Sequence, residues 1–361
     1  MKVLMAGGGS GGHVYPGISI ARAMKTLDSN VNVEFVGTSQ GAESKIVPRE
    51  GYEFHVVEMG RLNSNVDWSE RFWTLVRMPW ALLKASLLVM RLKPDLVLGL
   101  GGFASGPVLL MAALMGKKTA IWEPNALPGM ANRILSKFVD MAVVVFKESE
   151  ALLKTKKNVN IPLPVRAEIE NAKPRVPTTA DFCILVFGGS QGARGINNAV
   201  LAAVEKGGNW LSGVRIVHQT GSVDFERINE AYKNSEAAHG HVECVEYIHD
   251  MPERYNWADM VVCRAGTGSI SELAALGKAS VLVPLPTAAD DHQRKNAEVL
   301  SKAGAARLLL QSDMTPDSLI NHFQELKKSP EAIEKMESEV KKFYVPGSAE
   351  KIAKLLMEHA E

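Results

Sequence analysis

Two glycine-rich turns of the same design constrain this chain more than any other feature. The first lies in LMAGGGSGGH (4–13) and the second in LVFGGSQGAR (185–194), each between an apolar run and a helical pattern. Glycine permits positive φ and lets a phosphate approach the backbone, because no Cβ stands in the way. The helix that follows directs N–H groups and the positive end of its dipole towards an anion. The pair therefore predicts two phosphate-binding domains, and neither site needs a metal ion.

Short apolar strands alternate with helical patterns along the whole chain. One series covers 3–7, 33–37, 96–101, 119–123 and 141–146, and a second covers 183–189, 214–220, 242–248, 259–266, 279–285 and 305–310. A third glycine cluster, GGFASGP (101–107), closes the strand at 96–101. Continuous apolar strands separated by helices are typical of parallel sheets with both faces covered. The sequence therefore predicts an α/β fold with two Rossmann-like domains.

The length of 361 residues suits two domains better than one. A polar, proline-rich stretch around 155–181 marks the break between the two series. We place the first domain at 1–162 and the second at 163–345. A final helix at about 346–361 follows a Val-Pro-Gly break and is a candidate to pack back on the first domain.

Composition excludes several classes of protein. A formal net charge of +1 gives no general attraction for nucleic acid. The three cysteines form no C-x-x-C pair, and Cys183 and Cys263 sit in apolar runs, as core residues in a reducing compartment do. The apolar run at 3–6 is too short for a signal peptide, and we expect no segment that spans a bilayer. A soluble or peripheral protein is expected.

A nicotinamide-dependent oxidoreductase is the main alternative for such glycine loops. That class places an acidic residue at the end of the second strand, where it binds the ribose hydroxyls. Here the second strand ends VGTS (36–39) without a carboxylate, and the first loop departs from G-x-G-x-x-G, so the oxidoreductase is not favoured.

The chain has no Asp-x-Asp triplet, so a metal-bridged diphosphate is not expected. His239 and His241, near Cys244, fit a loop and a strand edge better than a metal site.

Several motifs together identify a family. They are GGGSGGHVYPG (7–17), GGFASGP (101–107), PNALPGMAN (124–132), GGSQGARGIN (188–197), VCRAGTGSISELAALGK (262–278) and DHQRKNA (291–297). In order and spacing over about residues 1–310 they resemble the MurG family of peptidoglycan glycosyltransferases. The resemblance implies a GT-B fold, with two Rossmann-like domains facing across a cleft. It also implies inverting transfer of N-acetylglucosamine from UDP-N-acetylglucosamine to the muramoyl C4 hydroxyl of lipid I, giving lipid II, without a cofactor.

The same resemblance assigns roles to individual residues, with the donor mainly in the second domain. Ser190 would contact the diphosphate, Ile248 would meet the uracil through its backbone, and Glu272 would accept hydrogen bonds from the ribose hydroxyls. Arg166 would help to hold the nucleotide. The other substrate-binding residues implied are Ser10, Gly11, Gly12 and Asn125 in the first domain, and Thr267, Gly268, Ser269, Ile270, Ser271, Gln293 and Asn296 in the second.

Three positions depart from the usual pattern of the family. PLPVR (162–166) stands in place of Gly-Asn-Pro-Val-Arg, EPN (123–125) in place of Glu-Gln-Asn, and His292 where glutamine is common. The resemblance therefore does not assign the contacts that these positions make near the domain junction and the sugar. The glycine loops are unchanged from the family pattern.

His13 is the candidate general base, since it is the imidazole within a glycine loop and titrates near the working pH. At a helix N-terminus the dipole disfavours the imidazolium, so the neutral ring can accept a proton. The alternative is that His13 only caps the helix or hydrogen-bonds substrate.

Residues 61–93 are rich in tryptophan and basic side chains. They hold Trp68, Trp73 and Trp80, half of the six tryptophans, among the basic residues Arg61, Arg71, Arg77, Lys84, Arg91 and Lys93. The pattern indicates an amphipathic helix pair suited to anionic headgroups, with ordinary sheet-packing helices as the alternative. The resemblance favours the membrane, because a polyprenyl-diphosphate acceptor stays in the bilayer. The expected location is the cytoplasmic face of the bacterial inner membrane, as a peripheral protein.

Three other functions remain open. They are transfer to another lipid acceptor by the same fold, epimerisation of a UDP-sugar, and UDP-sugar binding without catalysis. The presence of His13, Asn125, Glu272 and Gln293 together argues against the last, since a binding subunit needs no base.

Overall fold

The computed structural model describes residues 1–8, 11–60, 67–102, 104–172 and 180–361. Contacts divide the chain into two compact units, one of Met1–Pro164 with Gly347–Glu361 and one of Val165–Pro346. The sequence placed the boundary at 162/163. The last helix belongs to the first unit.

Within the described residues, the first unit has a seven-stranded parallel sheet in the order β3-β2-β1-β4-β5-β6-β7. Its central strands are apolar and buried, as expected for a sheet covered on both faces. The strands are β1 (Lys2–Gly7), β2 (Asn32–Gly37), β3 (Glu53–Val56), β4 (Leu96–Gly101), β5 (Lys118–Glu123), β6 (Met141–Val144) and β7 (Lys157–Asn160).

Helices cover the two faces of this sheet. They are α1 (Gly11–Leu27), α2 (Glu43–Arg49), α3 (Trp68–Leu92), α4 (Ser105–Leu114), α5 (Met130–Leu135) and α14 (Ser348–Ala360), with a 3₁₀ helix at Lys147–Leu152. Alternate residues of β1 face opposite sides: Val3 and Met5 share a core with α1 and α14, whereas Leu4 and Ala6 share one with α3 and α4. Two separate cores on a single sheet follow from this period of two.

The second unit repeats the plan with a six-stranded parallel sheet, order β10-β9-β8-β11-β12-β13. Its strands are β8 (Phe182–Phe187), β9 (Val214–Gln219), β10 (Val242–Val245), β11 (Met260–Cys263), β12 (Ser280–Leu282) and β13 (Arg307–Leu308). Its helices are α6 (Ala167–Glu170), α7 (Arg194–Glu205), α8 (Phe225–Asn234), α9 (Met251–Trp257), α10 (Thr267–Leu276), α11 (His292–Lys302), α12 (Pro316–Lys328) and α13 (Pro330–Lys341), with 3₁₀ helices at Asn209–Leu211, Glu236–Ala238 and Ala289–Asp291.

The predicted α/β fold and its eleven strands are confirmed, with most strands shorter than predicted. Two strands, β3 and β7, were missed because both are four-residue edge strands of the first sheet in which at least half of the residues are polar, EFHV and KNVN. β7 also lies inside the stretch that the sequence assigned to the domain break. Helix α1 begins at Gly11 and continues through Pro16, which removes one helical hydrogen bond without ending the helix.

The predicted helix pair at 61–93 is wrong, since the described part of this segment is the single helix α3. By length and composition alone, α3 is long and apolar enough to cross a membrane, which the sequence did not predict. However, Ala85 and Val89 on its inner face are fully buried in the core under α4. Residues 61–66, including Arg61, lie outside the described residues.

Candidate functional site

The first glycine loop and the third glycine cluster meet at the carboxyl ends of β1 and β4. The chain leaves these neighbouring strands in opposite directions, which opens a crevice where α/β sheets bind ligands. The Gly8 N–H donates to the Gly101 carbonyl (3.1 Å). A Cβ on Gly102, which has φ +81°, would lie only 2.4 Å from the Gly8 carbonyl oxygen, so glycine is required for this approach.

His13 lies in the first turn of α1, at the same switch point. Its half-buried ring packs on Gly101, since a Cβ there would come within 3.0 Å of the His13 Cε1. Gly11 and Gly12 are the first residues of the helix. Ser10 lies outside the described residues. The structure thus brings His13 to the end of β4, where a helix N-terminus and glycine backbone face the crevice.

Asn125 follows β5, the next strand along this edge, and is held by a buried carboxylate. Glu123 accepts from the Asn125 N–H (2.9 Å) and side-chain amide (3.3 Å), from the Gly129 N–H (3.0 Å) and from the Asn132 amide (2.9 Å). Burial raises the pKa of Glu123, against the lowering effect of these donors. The sequence predicted no role for Glu123, which was noted only within the EPN departure from the family pattern. Its hydrogen bonds to Asn125 become visible only in the structure.

Glu43 is a second buried carboxylate that the sequence did not single out. It opens α2 and accepts from the Thr38 N–H and hydroxyl, both at 2.9 Å. Its side chain fills the space that Cβ atoms on Gly8, Gly37 and Gly41 would need. The second strand therefore ends without a carboxylate, as read from the sequence, but a carboxylate from the next helix supports the first loop.

In the second unit, the second glycine loop follows β8 at the switch point between β8 and β11. Ser190 is exposed on this loop, and α7 begins at Arg194. The loop lies directly on the turn after β9: a Cβ on Gly192 would be 1.8 Å from the Thr220 carbonyl oxygen, and one on Gly221 would be 2.3 Å from that of Gln191. Both glycines have positive φ, so larger residues are excluded twice over.

Ile248 lies beyond the end of β10 and is 5% exposed. Its N–H donates to the side chain of Gln219 (3.1 Å), which the sequence did not mark as a functional residue.

Helix α10 begins directly after β11, with Gly266 as the residue before its first turn. Thr267, Gly268 and Ser269 form that turn, which points N–H groups outward from the sheet edge. Ile270 and Ser271 are 3% and 6% exposed, so their side chains face the interior.

Glu272, one turn further along, already has partners on both carboxylate oxygens. Arg166 donates to Oε1 through its Nε (3.0 Å) and a terminal nitrogen (2.8 Å), and the Tyr255 hydroxyl donates to Oε2 (3.1 Å). Burial raises the pKa of Tyr255 and the Glu272 charge raises it further, so the phenol stays a donor. The structure therefore brings Arg166 and Glu272 together, although 106 positions separate them.

Gln293 and Asn296 lie on α11, at the same edge of the sheet. The Gln293 side chain accepts from the Leu285 N–H (3.0 Å). Asn296 is fully buried and donates to the Ala265 carbonyl (3.3 Å), just before α10. Asn296 thus contacts the backbone that leads into α10.

Arg264 lies within the family motif at 262–278, but no role was predicted for it from the sequence. Its buried guanidinium donates to the carbonyls of Val283 (3.2 Å) and Pro284 (3.0 Å) and to Gln311 (2.7 Å). These bonds join the chain after β11 to the chain after β12. Burial lowers the pKa of Arg264.

Among the described residues, one group has side chains placed as metal ligands: Glu34, Glu53 and His55, with atoms within 4.8 Å of one another. Glu34 also forms an ion pair with Lys2 (2.7 Å), so its carboxylate already has a cationic partner in the structure. The histidines of 239–241 each bond to a backbone carbonyl.

Helix α3 exposes an apolar face. Its members are between 47% and 78% exposed: Trp68, Phe72, Trp73, Leu75, Val76, Trp80, Leu83, Leu87 and Met90. Arg77, Lys84 and Arg91 are exposed on the same helix, and the Lys84 ammonium lies over the Trp80 ring (5.9 Å). Leu114, at the end of the neighbouring α4, is 65% exposed. We call this surface the α3 apolar face.

Each of the two units matches a domain of a known protein family. The glycosyltransferase family 28 N-terminal domain matches residues 3–144, and the C-terminal domain of that family matches residues 183–352. The UDP-N-acetylglucosamine–N-acetylmuramyl-(pentapeptide) pyrophosphoryl-undecaprenol N-acetylglucosamine transferase of Bdellovibrio bacteriovorus is 48% identical over 99% of this chain and 99% of its own. The Myxococcus xanthus protein of the same name is 40% identical over 98% of this chain and 91% of its own.

Solved structures agree on the fold. MurG of Acinetobacter baumannii superposes with a TM-score of 0.80 at 26% identity, covering 99% of both chains. The UDP-GlcNAc 2-epimerase of Neisseria meningitidis reaches a TM-score of 0.65 at 14% identity, over 99% of this chain and all of its own. This second likeness extends to the fold alone.

Proposed function

The chain belongs to glycosyltransferase family 28 and, within it, to the MurG family, and on this premise we propose its reaction. It transfers N-acetylglucosamine from UDP-N-acetylglucosamine to the C4 hydroxyl of the muramoyl group of lipid I, with inversion, and so forms lipid II. One observation carries the proposal: a relative named for this transfer is 48% identical over 99% of the chain.

The second unit binds the donor. Its glycine loop, which bears Ser190, and the first turn of α10 both direct backbone N–H groups towards the sheet edge, where a diphosphate would lie. These groups stabilise the charge that develops on UDP as it leaves, without a metal ion. Glu272 accepts from the ribose hydroxyls, and Gln293 binds the sugar hydroxyls.

Nucleotide binding requires an exchange of partners at Glu272. Arg166 occupies the Oε1 oxygen in this structure, and its side chain is 54% exposed. Ribose hydroxyls take the place of the guanidinium, and the released Arg166 binds the diphosphate through charge-assisted hydrogen bonds. Tyr255 keeps Glu272 in place during the exchange, because its hydroxyl holds the other oxygen.

The first unit binds the acceptor and provides the base. His13 accepts the proton of the C4 hydroxyl as its oxygen attacks the anomeric carbon. The bond between the anomeric carbon and the β-phosphate oxygen breaks, and UDP leaves with the electron pair. Asn125, fixed by Glu123, positions a substrate hydroxyl nearby. Packing of the His13 ring against Gly101 limits its orientations, which favours proton transfer.

The α3 apolar face binds the cytoplasmic surface of the bacterial membrane. Nine large apolar side chains are exposed along this one helix, and a contiguous apolar surface of this kind marks an interaction site. Tryptophans beside arginine and lysine match the headgroup region, where apolar area and attraction to anionic lipids add. The buried inner face of α3 argues for a helix that lies on the membrane.

A transfer assay tests the proposed reaction. Labelled UDP-N-acetylglucosamine and a lipid I analogue should give labelled lipid II, with an equal rate in the presence of a chelator. Absence of a labelled lipid product, with normal donor binding, would refute the transfer and leave a binding protein.

A vesicle assay tests the membrane contact separately. Replacing Arg77 and Lys84 should weaken binding to anionic vesicles at low salt, while turnover of a detergent-dispersed acceptor is kept. The matched control replaces Arg294 and Lys295, which are exposed on α11 in the second unit. Equal binding by both double variants would contradict the assignment.

A further inference from the structure

Gln219 ends β9, and its side-chain amide joins two segments of the candidate donor site. Its Nε2 donates to the Gly189 carbonyl (2.9 Å), and its Oε1 accepts from the Ile248 N–H (3.1 Å). The residue is 3% exposed. Water therefore does not compete for either hydrogen bond, and both are stronger than they would be in solvent.

The two hydrogen bonds of Gln219 lie where the β9–β10 ladder ends and the glycine loop begins. Backbone hydrogen bonds continue the pairing of β9 with β10 as far as Gly221 and Glu246 (3.1 Å). Beyond this point the Ile248 N–H leaves the ladder and pairs with the Gln219 side chain. On its other side, Gly189 belongs to the glycine loop that lies on the Thr220 carbonyl. One side chain thus sets where the segment after β10 lies relative to the loop after β8.

We propose that Gln219 is a positioning residue for the nucleotide. It fixes the Ile248 backbone, which meets the base, at a set distance from the loop that takes the diphosphate. This inference rests on the donor site proposed above. Base and diphosphate are joined through the ribose, so both can be bound well at once only if the two protein segments are held in register.

Base selectivity follows from the same arrangement. Uracil carries a donor at N3 and an acceptor at position 4, whereas cytosine carries an acceptor at N3 and a donor at position 4. Because the Ile248 N–H already donates to Gln219, the Ile248 carbonyl is the backbone group left for the base. It accepts from the N3–H of uracil, whereas N3 of cytosine offers it no hydrogen. The Gln219 bond therefore favours uracil, since it keeps the carbonyl and not the N–H directed at the base.

The first test uses Gln219→Met, which keeps the length of the side chain and removes both hydrogen bonds. We expect the KM for UDP-N-acetylglucosamine to rise about tenfold with kcat changed less than about threefold, since the loss affects bound donor and transition state alike. The ratio of UDP to CDP affinity, measured by calorimetry, should fall about fivefold or more. A wild-type affinity ratio in this variant would overturn the proposal.

A second variant separates the two hydrogen bonds. Gln219→Glu keeps an acceptor for the Ile248 N–H but sets a carboxylate oxygen against the Gly189 carbonyl. It should raise the KM at least as much, while it keeps more of the preference for UDP over CDP. Equal affinity ratios in the Glu and Met variants would contradict the assigned role of the Ile248 bond.

Val217→Ala is the matched control. Val217 is 2% exposed and lies two residues earlier on the same strand, on the same face as Gln219. It should lower the melting temperature and leave the affinity ratio unchanged; an equal loss of selectivity would show general loosening and overturn the inference. Failure of the wild-type protein to bind UDP would instead refute the proposed function, so the two failures are distinguishable.

Discussion

Replacement of Arg166 by alanine should change uridine and UDP binding in opposite directions. Arg166 pairs with Glu272 Oε1 in the structure. Under the proposed exchange, the ribose takes this oxygen and Arg166 moves to the diphosphate. Uridine has the ribose but no phosphate, so the variant should bind it more tightly. UDP loses the phosphate contact and should bind more weakly. A purely structural role for Arg166 would weaken both.

The magnitudes follow from the exposure of the pair. Arg166 is 54% exposed and Glu272 16% exposed, so the ion pair contributes about 0.2–1 kcal/mol, as partly exposed pairs do. Uridine should therefore bind about 1.4- to 5-fold more tightly. Hydrogen bonds to a charged group contribute about 1.5–3 kcal/mol, so after the gain is subtracted UDP binding should weaken by about 0.5–2.8 kcal/mol, or about 2- to 100-fold.

Isothermal titration calorimetry at fixed ionic strength measures both affinities. Arg215→Ala is the control, since Arg215 is 52% exposed and pairs with Asp181 (2.9 Å) in the same unit, at the start of β9. This control should leave both affinities unchanged. Equal weakening of uridine and UDP by Arg166→Ala would refute the exchange at Glu272.

Three further outcomes are expected. His13→Ala should lower kcat about 10²- to 10⁴-fold with donor affinity within about twofold, and an unchanged kcat would remove its role as base. Replacing Trp73 and Trp80 by serine should reduce sedimentation with anionic vesicles, and undiminished sedimentation would argue against the α3 apolar face. Burial lowers the pKa of His218 from 6.5 to about 3, so the folded protein favours the neutral ring. The contribution of this ring to the free energy of unfolding is complete above pH 6.5 and is lost as the pH falls towards 3. The free energy of unfolding in urea should drop by about 1.4 kcal/mol between pH 8 and 5.5 through this group, a loss that His218→Gln should abolish; equal slopes in both proteins would contradict it.

The sequence predicted most of the fold because buried strands and glycine loops leave local signatures. Apolar runs identified the nine inner strands and the two edge strands of the second sheet, β10 and β13, and the glycine loops lie at both switch points. The edge strands β3 and β7 escaped because half of their residues face water and read as loop.

The candidate site was only partly predictable. Residues inside motifs, such as His13 and Asn125, were found from the sequence and its resemblance to a family. The partners that hold them were not, since the pairing of Arg166 with Glu272, and of Gln219 with Gly189, depends on which strands lie side by side. Such contacts between distant segments have no local pattern.

A competition between acceptors tests the central claim most directly. The protein is supplied with labelled UDP-N-acetylglucosamine and vesicles that contain equal amounts of a lipid-linked muramoyl-pentapeptide acceptor and diacylglycerol. We predict that the label enters the muramoyl product alone, in the β configuration and at the same rate with a chelator present. Label in a glycosyl diacylglycerol, or in an epimerised nucleotide sugar without any lipid product, would contradict the assignment.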